Sequence, residues 1–305
     1  MESVPLPSVG PTQVRVRLEG CGVCGSNLPV WEGRPWFKYP LAPGMPGHEG
    51  WGFIDETGSA VERLRVGQRV AFLGQRSFAE YDVAEASDVV VIPDELADVP
   101  VPAEPLACAV NAFKRAGVSA GQWVAIVGVG FLGALLVQLA SKAGARVIAI
   151  SRRSFALDVA RAMGAMHIME AGDRPHLVQS VAEITEGHLC DVVIEATGLQ
   201  EPLDLATELT KERGRLVIAG YHQDGARQVN MQLWNWRGLD VINAHERDPR
   251  VYRAGMEEAV SLLKSRQLNP SLLYTHRYPL FRLGEALDAM RDRDGGFLKA
   301  LVIYD

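Results

Sequence analysis

The first 110 residues alternate short stretches of β-type sequence with turns. Val14–Leu18 alternates apolar and polar side chains with a period of two, and Phe78–Val83 follows a similar pattern. A third stretch, Asp88–Ile92, is rich in β-branched residues and is ended by Pro93. A period of two places successive side chains on opposite faces of a strand. The pattern therefore predicts a compact, β-rich domain.

Between residues 111 and 244 the pattern changes to strands that alternate with helices. Nearly continuous apolar runs predict buried strands at Trp123–Val127, Arg146–Ile150, Asp191–Ile194 and Arg215–Ala219. The stretches between them predict helices at Leu132–Ala143, Ala156–Met163 and Glu201–Lys211. Buried strands of this kind are typical of a parallel sheet that helices cover on both faces. This segment is therefore predicted to be a doubly wound α/β domain.

The C-terminal segment, residues 245–305, contains two amphipathic helical patterns and a final strand. The helices are predicted at Val251–Ser265 and Leu283–Arg291, and the strand at Leu298–Tyr304. Because a helix before a last strand has no obvious place in a finished α/β sheet, we expect this segment to complete the first domain. The predicted fold class is α/β, with one domain formed by residues 1–110 and 245–305 and the other by residues 111–244.

Composition and charge exclude several classes of protein. The 31 basic and 37 acidic residues give a net charge of −6, which argues against binding nucleic acid through its phosphates. The longest apolar run, Trp123–Val137, contains three glycines and is shorter than the ~20 residues of a spanning helix. Met1–Gly10 lacks the pattern of a signal peptide, and four cysteines are too few for a disulfide framework. We expect a cytoplasmic protein with no nucleic-acid or membrane partner.

A glycine-rich turn connects the first strand of the α/β domain to its first helix. Its G-x-G-x-x-G pattern consists of Gly128, Gly130 and Gly133. The first glycine permits a tight turn, the second lets a pyrophosphate approach the backbone, and the third allows the helix to pack closely on the strand. The N-terminus of that helix, at Phe131 and Leu132, offers N–H groups to the phosphates. The alternative is a glycine-rich turn without a ligand.

The end of the following strand indicates which dinucleotide binds. NAD sites place a carboxylate there, about 20 residues after the glycines, to hold the ribose 2′-hydroxyl. This chain instead has Ser151, Arg152 and Arg153. A hydroxyl and two guanidinium groups are suited to a 2′-phosphate, so the sequence predicts NADP(H). The alternative is that both arginines are solvated surface charges.

Candidate metal ligands lie between residues 20 and 52. Cys21 and Cys24 form a single C-x2-C pair, and His48 and Glu49 lie within a glycine-rich segment. Thiolate, imidazole and carboxylate are all zinc ligands, although one C-x2-C pair alone is a weak signal. The alternatives are that Cys24 is a small buried apolar residue and that His48 is a turn residue bonded to backbone. Cys21 is expected to pack rather than to bind metal.

These motifs together resemble the medium-chain dehydrogenase/reductase superfamily, in its zinc-dependent alcohol and polyol dehydrogenase branch. The resemblance covers nearly the whole chain, and its motifs are listed in chain order: the G-x-C-G-S segment ending at Ser26, the G-H-E-x-x-G segment starting at Gly47, Glu104–Leu106, the dinucleotide turn, and Asp191–Gly198. It implies a GroES-like catalytic domain together with a Rossmann domain, and it implies that Thr197 lies at the cofactor.

The resemblance also implies roles for individual residues of the first domain. Cys24 and His48 would bind zinc, and Glu49 would be a ligand directly or by exchange with water. Glu104 would reach zinc directly or through water, with capping of the following helix as the alternative. Ser26 would take the proton of the substrate hydroxyl. Separately from the resemblance, one helical turn could bring Cys108 near Glu104, but we do not expect Cys108 to be a ligand.

Three features depart from the family's pattern. Asn27 replaces an aspartate that usually stands beside a ligand histidine, so the basicity of that histidine would change. Pro29 stands where a histidine often passes the proton of the serine to solvent. The lobe that holds a structural zinc is missing, because Val70–Tyr81 runs directly through that region.

Two aromatic segments bear on substrate and assembly. Trp31–Phe37 suggests a bulky or ring-bearing substrate with a negative group for Arg34, and the alternative is that these aromatic residues pack a loop or a subunit contact. The resemblance places Trp234–Arg237 in a strand region near a subunit interface. An exposed aromatic strip there would favour a homodimer.

The sequence thus predicts an enzyme that interconverts a secondary alcohol and its ketone or aldehyde. Hydride would pass to or from NADP(H), with zinc as Lewis acid and a small molecule as substrate. Two alternatives are a zinc-independent reductase of C=C or C=N bonds in the same superfamily and a non-catalytic NADPH-binding protein.

Cofactor preference provides the first test. The protein is expected to prefer NADPH over NADH, and Arg152→Asp is expected to weaken or reverse that preference, because a carboxylate repels a 2′-phosphate and accepts a hydrogen bond from a 2′-hydroxyl. The measurement is kcat/KM for both cofactors. Equal values in the unmodified protein would contradict the prediction.

Overall fold

The computed structural model describes every residue except Gly295 and Asp305. Its strands are β1 (Gln13–Gly22), β2 (Gly50–Thr57), β3 (Arg69–Phe72), β4 (Tyr81–Glu85), β5 (Val89–Val91), β6 (Trp123–Val127), β7 (Arg146–Ser151), β8 (His167–Glu170), β9 (Cys190–Glu195), β10 (Thr210–Ile218), β11 (Asp240–Asn243), β12 (His276–Pro279) and β13 (Ala300–Ile303). Its α-helices are α1 (Leu28–Trp31), α2 (Ala103–Ala116), α3 (Phe131–Lys142), α4 (Ser154–Ala162), α5 (Arg174–Ile184), α6 (Gln200–Leu209), α7 (Met231–Arg237), α8 (Pro249–Lys264) and α9 (Leu283–Asp292).

The chain divides into two compact units. The first unit comprises Met1–Ala107 and Arg247–Asp305, and the second comprises Cys108–Glu246. The C-terminal segment belongs to the first unit because β13 pairs antiparallel with β1, placing Gly20 opposite Ile303. In the described part of the chain, no helix has the length and apolar character needed to cross a bilayer.

The first unit is built on a seven-stranded sheet. The strands follow the order β12-β13-β1-β2-β3-β5, and β4 pairs with β1. The alternation predicted around Val14 has a physical basis, because Val14, Val16 and Leu18 are buried in one core cluster with Ile54 and Phe72. The intervening Arg15 and Arg17 point away from that core, and Arg15 pairs with Asp55. β1 pairs with β2, β4 and β13, so it connects the C-terminal strands to the rest of the sheet.

The second unit contains a six-stranded parallel sheet in the order β11-β10-β9-β6-β7-β8. From β6 the chain first builds outward through β7 and β8, and it then returns to add β9, β10 and β11 on the other side. The strand order therefore reverses beside β6, which is where doubly wound sheets bind ligands at their carboxyl edge. The predicted parallel, doubly wound sheet is confirmed.

Three predicted elements were wrong in detail. The helix predicted to Lys211 ends at Leu209, because Thr210 is extended and starts β10. Its hydroxyl donates to the carbonyl of Ala206 at 2.7 Å and so satisfies a carbonyl at the helix end. The strand predicted at Phe78–Val83 covers Tyr81–Glu85 instead, and Phe78 forms an isolated bridge with Gly44.

The third error concerns Trp234–Arg237, which lies in helix α7 and not in a strand. The side chain of Asn230 accepts a hydrogen bond from Leu233 N at 3.0 Å and caps the first turn. Gly238 ends the helix in the left-handed conformation, with φ of 58°. These two caps favour a helix at the position where the resemblance implied a strand.

Two phenylalanines of the first unit provide a matched test of this core. Phe72 is fully buried, whereas Phe281 is 70% exposed. Phe72→Ala is expected to lower the free energy of unfolding by about 3–5 kcal/mol, since it removes a buried ring and leaves a cavity. Phe281→Ala is expected to change it by less than about 0.5 kcal/mol. Chemical denaturation measures both, and similar losses in the two variants would contradict this assignment of the core.

Candidate metal centre and dinucleotide site

Cys24 lies at the turn that follows β1. The backbone of Val23 donates to Ala300 O at 3.0 Å, which fixes the chain against β13 just before the cysteine. The backbone N–H of Cys24 donates to Asn27 Oδ1 at 2.8 Å. A short 3₁₀ helix, Gly25–Asn27, follows and contains Ser26, which is half-buried. Cys24 is therefore held by hydrogen bonds on both sides.

His48 lies in the loop that enters β2. Its Nδ1 is 2.9 Å from the carbonyl oxygen of Pro46. A carbonyl only accepts hydrogen bonds, so Nδ1 carries a proton, and Nε2 is the nitrogen that would bind a metal in place of its own proton. A neighbouring segment supports the loop, because Ser77 N donates to Gly47 O at 2.9 Å.

Asn27 connects these two loops. Its Nδ2 donates to Pro46 O at 3.1 Å, while its Oδ1 accepts from Cys24. Pro46 O therefore accepts from both Asn27 and His48. Asn27 itself is buried. An aspartate could not donate to this carbonyl, so the departure from the family's pattern matches the local hydrogen bonding.

The ligand atoms of Cys24, His48 and Glu49 lie within 4.8 Å of one another. We call these three residues the metal cluster. Thiolate, imidazole and carboxylate together suit zinc better than harder cations, which prefer oxygen alone. Although burial alone lowers the pKa of His48, the negative charges of Cys24, Glu104 and Glu49 raise it to about 10. Because a divalent cation would balance the same charges, these residues fit a zinc ion.

Glu104 and Cys21, two other residues considered from the sequence, do not belong to the metal cluster. Among the described residues, the set whose ligand atoms all lie within 4.8 Å of one another does not include Glu104. Glu104 occupies the first turn of α2. Its charge still acts on His48. Cys21 is fully buried, and burial raises the pKa of its thiol well above the ordinary value. Its Sγ donates to Gly22 O at 3.3 Å, in agreement with the expectation that it packs.

Lys299 is a functional-site residue that the sequence reasoning missed. Its Nζ lies 2.6 Å from Glu49 Oε1 and 2.5 Å from Oε2, and both side chains are buried. Burial lowers the pKa of Lys299, but the charges of Glu49, Cys24 and Glu104 outweigh it and raise that pKa. A lysine among apolar neighbours just before β13 was the available signal, since buried lysines are rare unless paired.

The glycine turn of the second unit has the geometry its sequence predicts. Gly128 has φ of +101°, and a Cβ there would lie 2.3 Å from Thr197 Cγ2. A Cβ on Gly133 would lie 1.9 Å from Gly128 O, so only glycine allows α3 to approach β6 this closely. A Cβ on Gly130 would meet no atom within 4 Å. Helix α3 begins directly afterwards with Phe131 and Leu132.

The residues predicted to select the dinucleotide lie at the end of β7. Ser151 is buried, and its Oγ accepts from Arg153 N at 3.3 Å. The Arg153 guanidinium donates to Val129 O at 3.3 Å, which brings this side chain to the glycine turn. Arg152 is exposed.

Thr197, which the resemblance places at the cofactor, lies in the loop after β9. Its backbone N–H donates to Glu195 Oε1 at 2.6 Å, and its hydroxyl is bonded to the same oxygen.

Comparisons with known proteins agree with this architecture. The model of the alcohol dehydrogenase GroES-like domain matches residues 10–94, and the model of zinc-binding dehydrogenases matches residues 132–265. The chain belongs to the medium-chain dehydrogenase/reductase superfamily, in its zinc-dependent alcohol and polyol dehydrogenase-like branch. The predicted GroES-like and Rossmann fold class is thereby confirmed.

Three similar proteins illustrate the range of the branch. The sorbitol dehydrogenase of Halalkalibacterium halodurans is 27% identical, over 99% of this chain and 94% of the relative. A zinc-binding dehydrogenase structure from Sinorhizobium meliloti, solved with NADP, is 28% identical with a TM-score of 0.86 and covers 98% and 94% of the two chains. The galactitol-1-phosphate dehydrogenase of Escherichia coli is 26% identical with a TM-score of 0.85, over 99% and 96%.

The Glu49–Lys299 pair provides a stability test on chelator-treated protein. Lys299→Met is expected to lower the free energy of unfolding by about 3–5 kcal/mol, because it leaves the buried Glu49 carboxylate without its cation. The control is Lys264→Met, which removes an exposed pair with Glu95 and is expected to change stability little. Denaturant titration compares the two. A loss at Lys299 no larger than at Lys264 would show that the buried pair is not a stabilising element.

Proposed function

We propose that this protein is an oxidoreductase that interconverts a secondary alcohol and its ketone or aldehyde by hydride transfer with NADP(H). The proposal rests above all on the metal cluster, where Cys24, His48 and Glu49 bring three zinc-type donors within 4.8 Å. A zinc ion bound there would supply Lewis-acid catalysis, lowering the pKa of an alcohol and polarising a carbonyl. Cys24 and His48 would hold that ion.

The surrounding residues have their own tasks in this proposal. His48 presents Nε2 because Pro46 O holds the proton on Nδ1. Ser26 is the hydroxyl proposed to take the proton of the substrate. Glu49 is held by Lys299 at 2.5–2.6 Å, so it is proposed to reach the metal only by exchanging this partner or through water. Glu104 contributes negative charge that favours a cation.

Cofactor selection is proposed to depend on the second unit. The turn formed by Gly128, Gly130 and Gly133 would hold the pyrophosphate, at the N-terminus of α3. Ser151 and Arg152, with Arg153, would bind the 2′-phosphate of NADP(H). The similar Sinorhizobium meliloti structure with bound NADP is consistent with this preference.

The proposed substrate class is a polyol or another bulky secondary alcohol. The relatives named for sorbitol and galactitol-1-phosphate support a polyol. Trp31 and Trp36 are exposed and available to a bulky group. Arg34 is an unfavourable site for a substrate anion, because it already pairs with Glu32 at 2.9 Å and lies over the ring of Trp36.

We also propose a cytoplasmic homo-oligomer, with a homodimer as the simplest form. In the second unit, Trp236 is 86% exposed on α7. Strand β11 follows that helix and ends the strand order of this sheet among the described residues. A large exposed aromatic side chain beside such an edge favours a contact with a second copy.

Metal removal tests the proposed chemistry. Chelation is expected to lower the oxidoreductase activity on polyols such as sorbitol at least about a hundredfold, and added zinc should restore it, since several kcal/mol of transition-state stabilisation are lost. Cys24→Ala should retain less than about half an equivalent of zinc by metal analysis. Cys108→Ala is the matched control and should keep both the metal and the activity.

Other results of these measurements would favour one of the alternative functions or overturn the ligand assignment. Undiminished reductase activity after chelation would instead indicate a zinc-independent reductase of C=C or C=N bonds. Tight NADPH binding without turnover on a broad panel of alcohols and carbonyls would indicate a non-catalytic NADPH-binding protein. Metal loss in Cys108→Ala but not in Cys24→Ala would overturn the ligand assignment.

A further inference from the structure

A buried carboxylate lies at the carboxyl end of β9. Glu195 has 0% of its surface exposed. Its Oε1 accepts from Thr197 N at 2.6 Å and from Gly198 N at 2.9 Å, in addition to the Thr197 hydroxyl. Its Oε2 lies 3.1 Å from His222 Nε2, in the loop after β10. One carboxylate therefore binds the loops that follow two neighbouring strands.

His222 is held between this anion and a cation. Arg227 Nε donates to His222 Nδ1 at 2.9 Å. Since a guanidinium only donates, Nδ1 accepts, and the ring proton lies on Nε2, where it is donated to Glu195. The side chains of His222 and Arg227 are 15% and 16% exposed, so water competes little for these bonds. The order Arg227–His222–Glu195 thus fixes one tautomer of the imidazole.

Arg227 also joins the two loops directly. Its second guanidinium nitrogen donates to Gly198 O at 2.7 Å and pairs with Asp224. Gln200 adds two bonds to the backbone of Gln228, at 2.8 and 2.9 Å. A Cβ on Gly220 would lie 2.2 Å from Gly198 N, so the loops are in close contact. We call Glu195, His222 and Arg227 the loop cross-link.

The position of the loop cross-link indicates its purpose. In a doubly wound sheet the dinucleotide lies along the carboxyl edge, with one mononucleotide on each side of the point where the strand order reverses. The glycine turn after β6 and Ser151 at the end of β7 belong to the adenosine side. The nicotinamide half therefore belongs to the side of β9, β10 and β11, where the loop cross-link lies.

We propose that His222 and Arg227 are positioning residues that hold the nicotinamide half of the dinucleotide site in its binding conformation. The inference rests on the proposed dinucleotide binding and adds residues to it. Neither residue is required to touch the cofactor. Holding two loops in place before binding removes the cost of ordering them when the cofactor arrives.

The test compares a whole cofactor with its adenosine half. His222→Phe keeps a ring but loses both hydrogen bonds, and Arg227→Met keeps the apolar stem but loses the guanidinium. Each variant is expected to weaken NADPH binding about tenfold or more, in line with the ordering cost of a loop. Binding of adenosine 2′,5′-bisphosphate, which lacks nicotinamide, is expected to change less than about twofold. Titration calorimetry measures both dissociation constants without turnover.

A matched control is available in the same unit. Arg237 donates to the carbonyls of Glu208 and Thr210 at 2.8 and 2.6 Å, near the amino end of β10 and so at the opposite edge of the sheet. Arg237→Met is expected to lower the melting temperature but to leave both dissociation constants unchanged. The double variant of His222 and Arg227 is expected to weaken NADPH binding by less than the product of the two single effects, because the two side chains share one hydrogen bond.

Several results would overturn the inference. Unchanged NADPH binding in the variants would do so, as would equal weakening for NADPH and adenosine 2′,5′-bisphosphate in variants that retain the far-UV spectrum. If the unmodified protein prefers NADH, the same comparison is made with NADH and ADP. Failure of the unmodified protein to bind either dinucleotide would overturn the proposed function itself, and that result is distinct from a failure of the variants.

Discussion

The carbonyl oxygen of Pro46 accepts two hydrogen bonds on which the candidate metal centre depends. One comes from Asn27, beside Cys24, and the other comes from His48 Nδ1. Cys24 and His48 lie 24 positions apart in the sequence, and each lies in a short loop without regular structure of its own. Shared bonding at one carbonyl connects these loops and fixes the tautomer of the imidazole at the same time.

The electrostatics of the first unit follow from this geometry. Once Cys24 and Glu49 are brought beside His48, negative charge accumulates in a buried place, where it is costly unless it is balanced. Lys299 balances Glu49 from the segment before β13, and the negative charges beside His48 raise its pKa against the effect of burial, so the cluster favours a further positive charge. A site of this kind is suited to a divalent ion.

In the second unit, the structure depends on backbone segments that approach one another closely at glycines. Gly128, Gly133 and Gly220 lie where a Cβ would collide with neighbouring atoms, so the loops at the carboxyl edge pack against one another. Glu195 accepts hydrogen bonds from two backbone N–H groups of these loops, those of Thr197 and Gly198. Loops that are hydrogen-bonded to one another at the carboxyl edge of the sheet present a preformed surface to a ligand. The free-energy cost of ordering these loops on binding is therefore smaller.

Local sequence predicted much of this protein because its strongest signals are short-range. The period of two around Val14, the apolar strand at Trp123–Val127 and the glycine turn after it need only neighbouring residues to act, and they predicted the sheet types and the turn. The resemblance to the family implied a strand at Trp234–Arg237, whereas the local caps at Asn230 and Gly238 favour a helix. Helix α5 and the strands β8 and β11 were not predicted, because α5 is only weakly amphipathic and the two strands are four residues long.

The sequence by itself determined the fold class and the residue types available for zinc and dinucleotide chemistry, since these follow from periodicity and from motifs of fixed spacing. Only the tertiary structure decided that Lys299 neutralises Glu49 and that Arg227 orients His222 toward Glu195. The Lys299–Glu49 contact joins residues 250 positions apart, and such pairing depends on how strands are ordered in a sheet. The free energy of an ion pair depends on distance and burial, and neither quantity can be obtained from the order of residues along the chain.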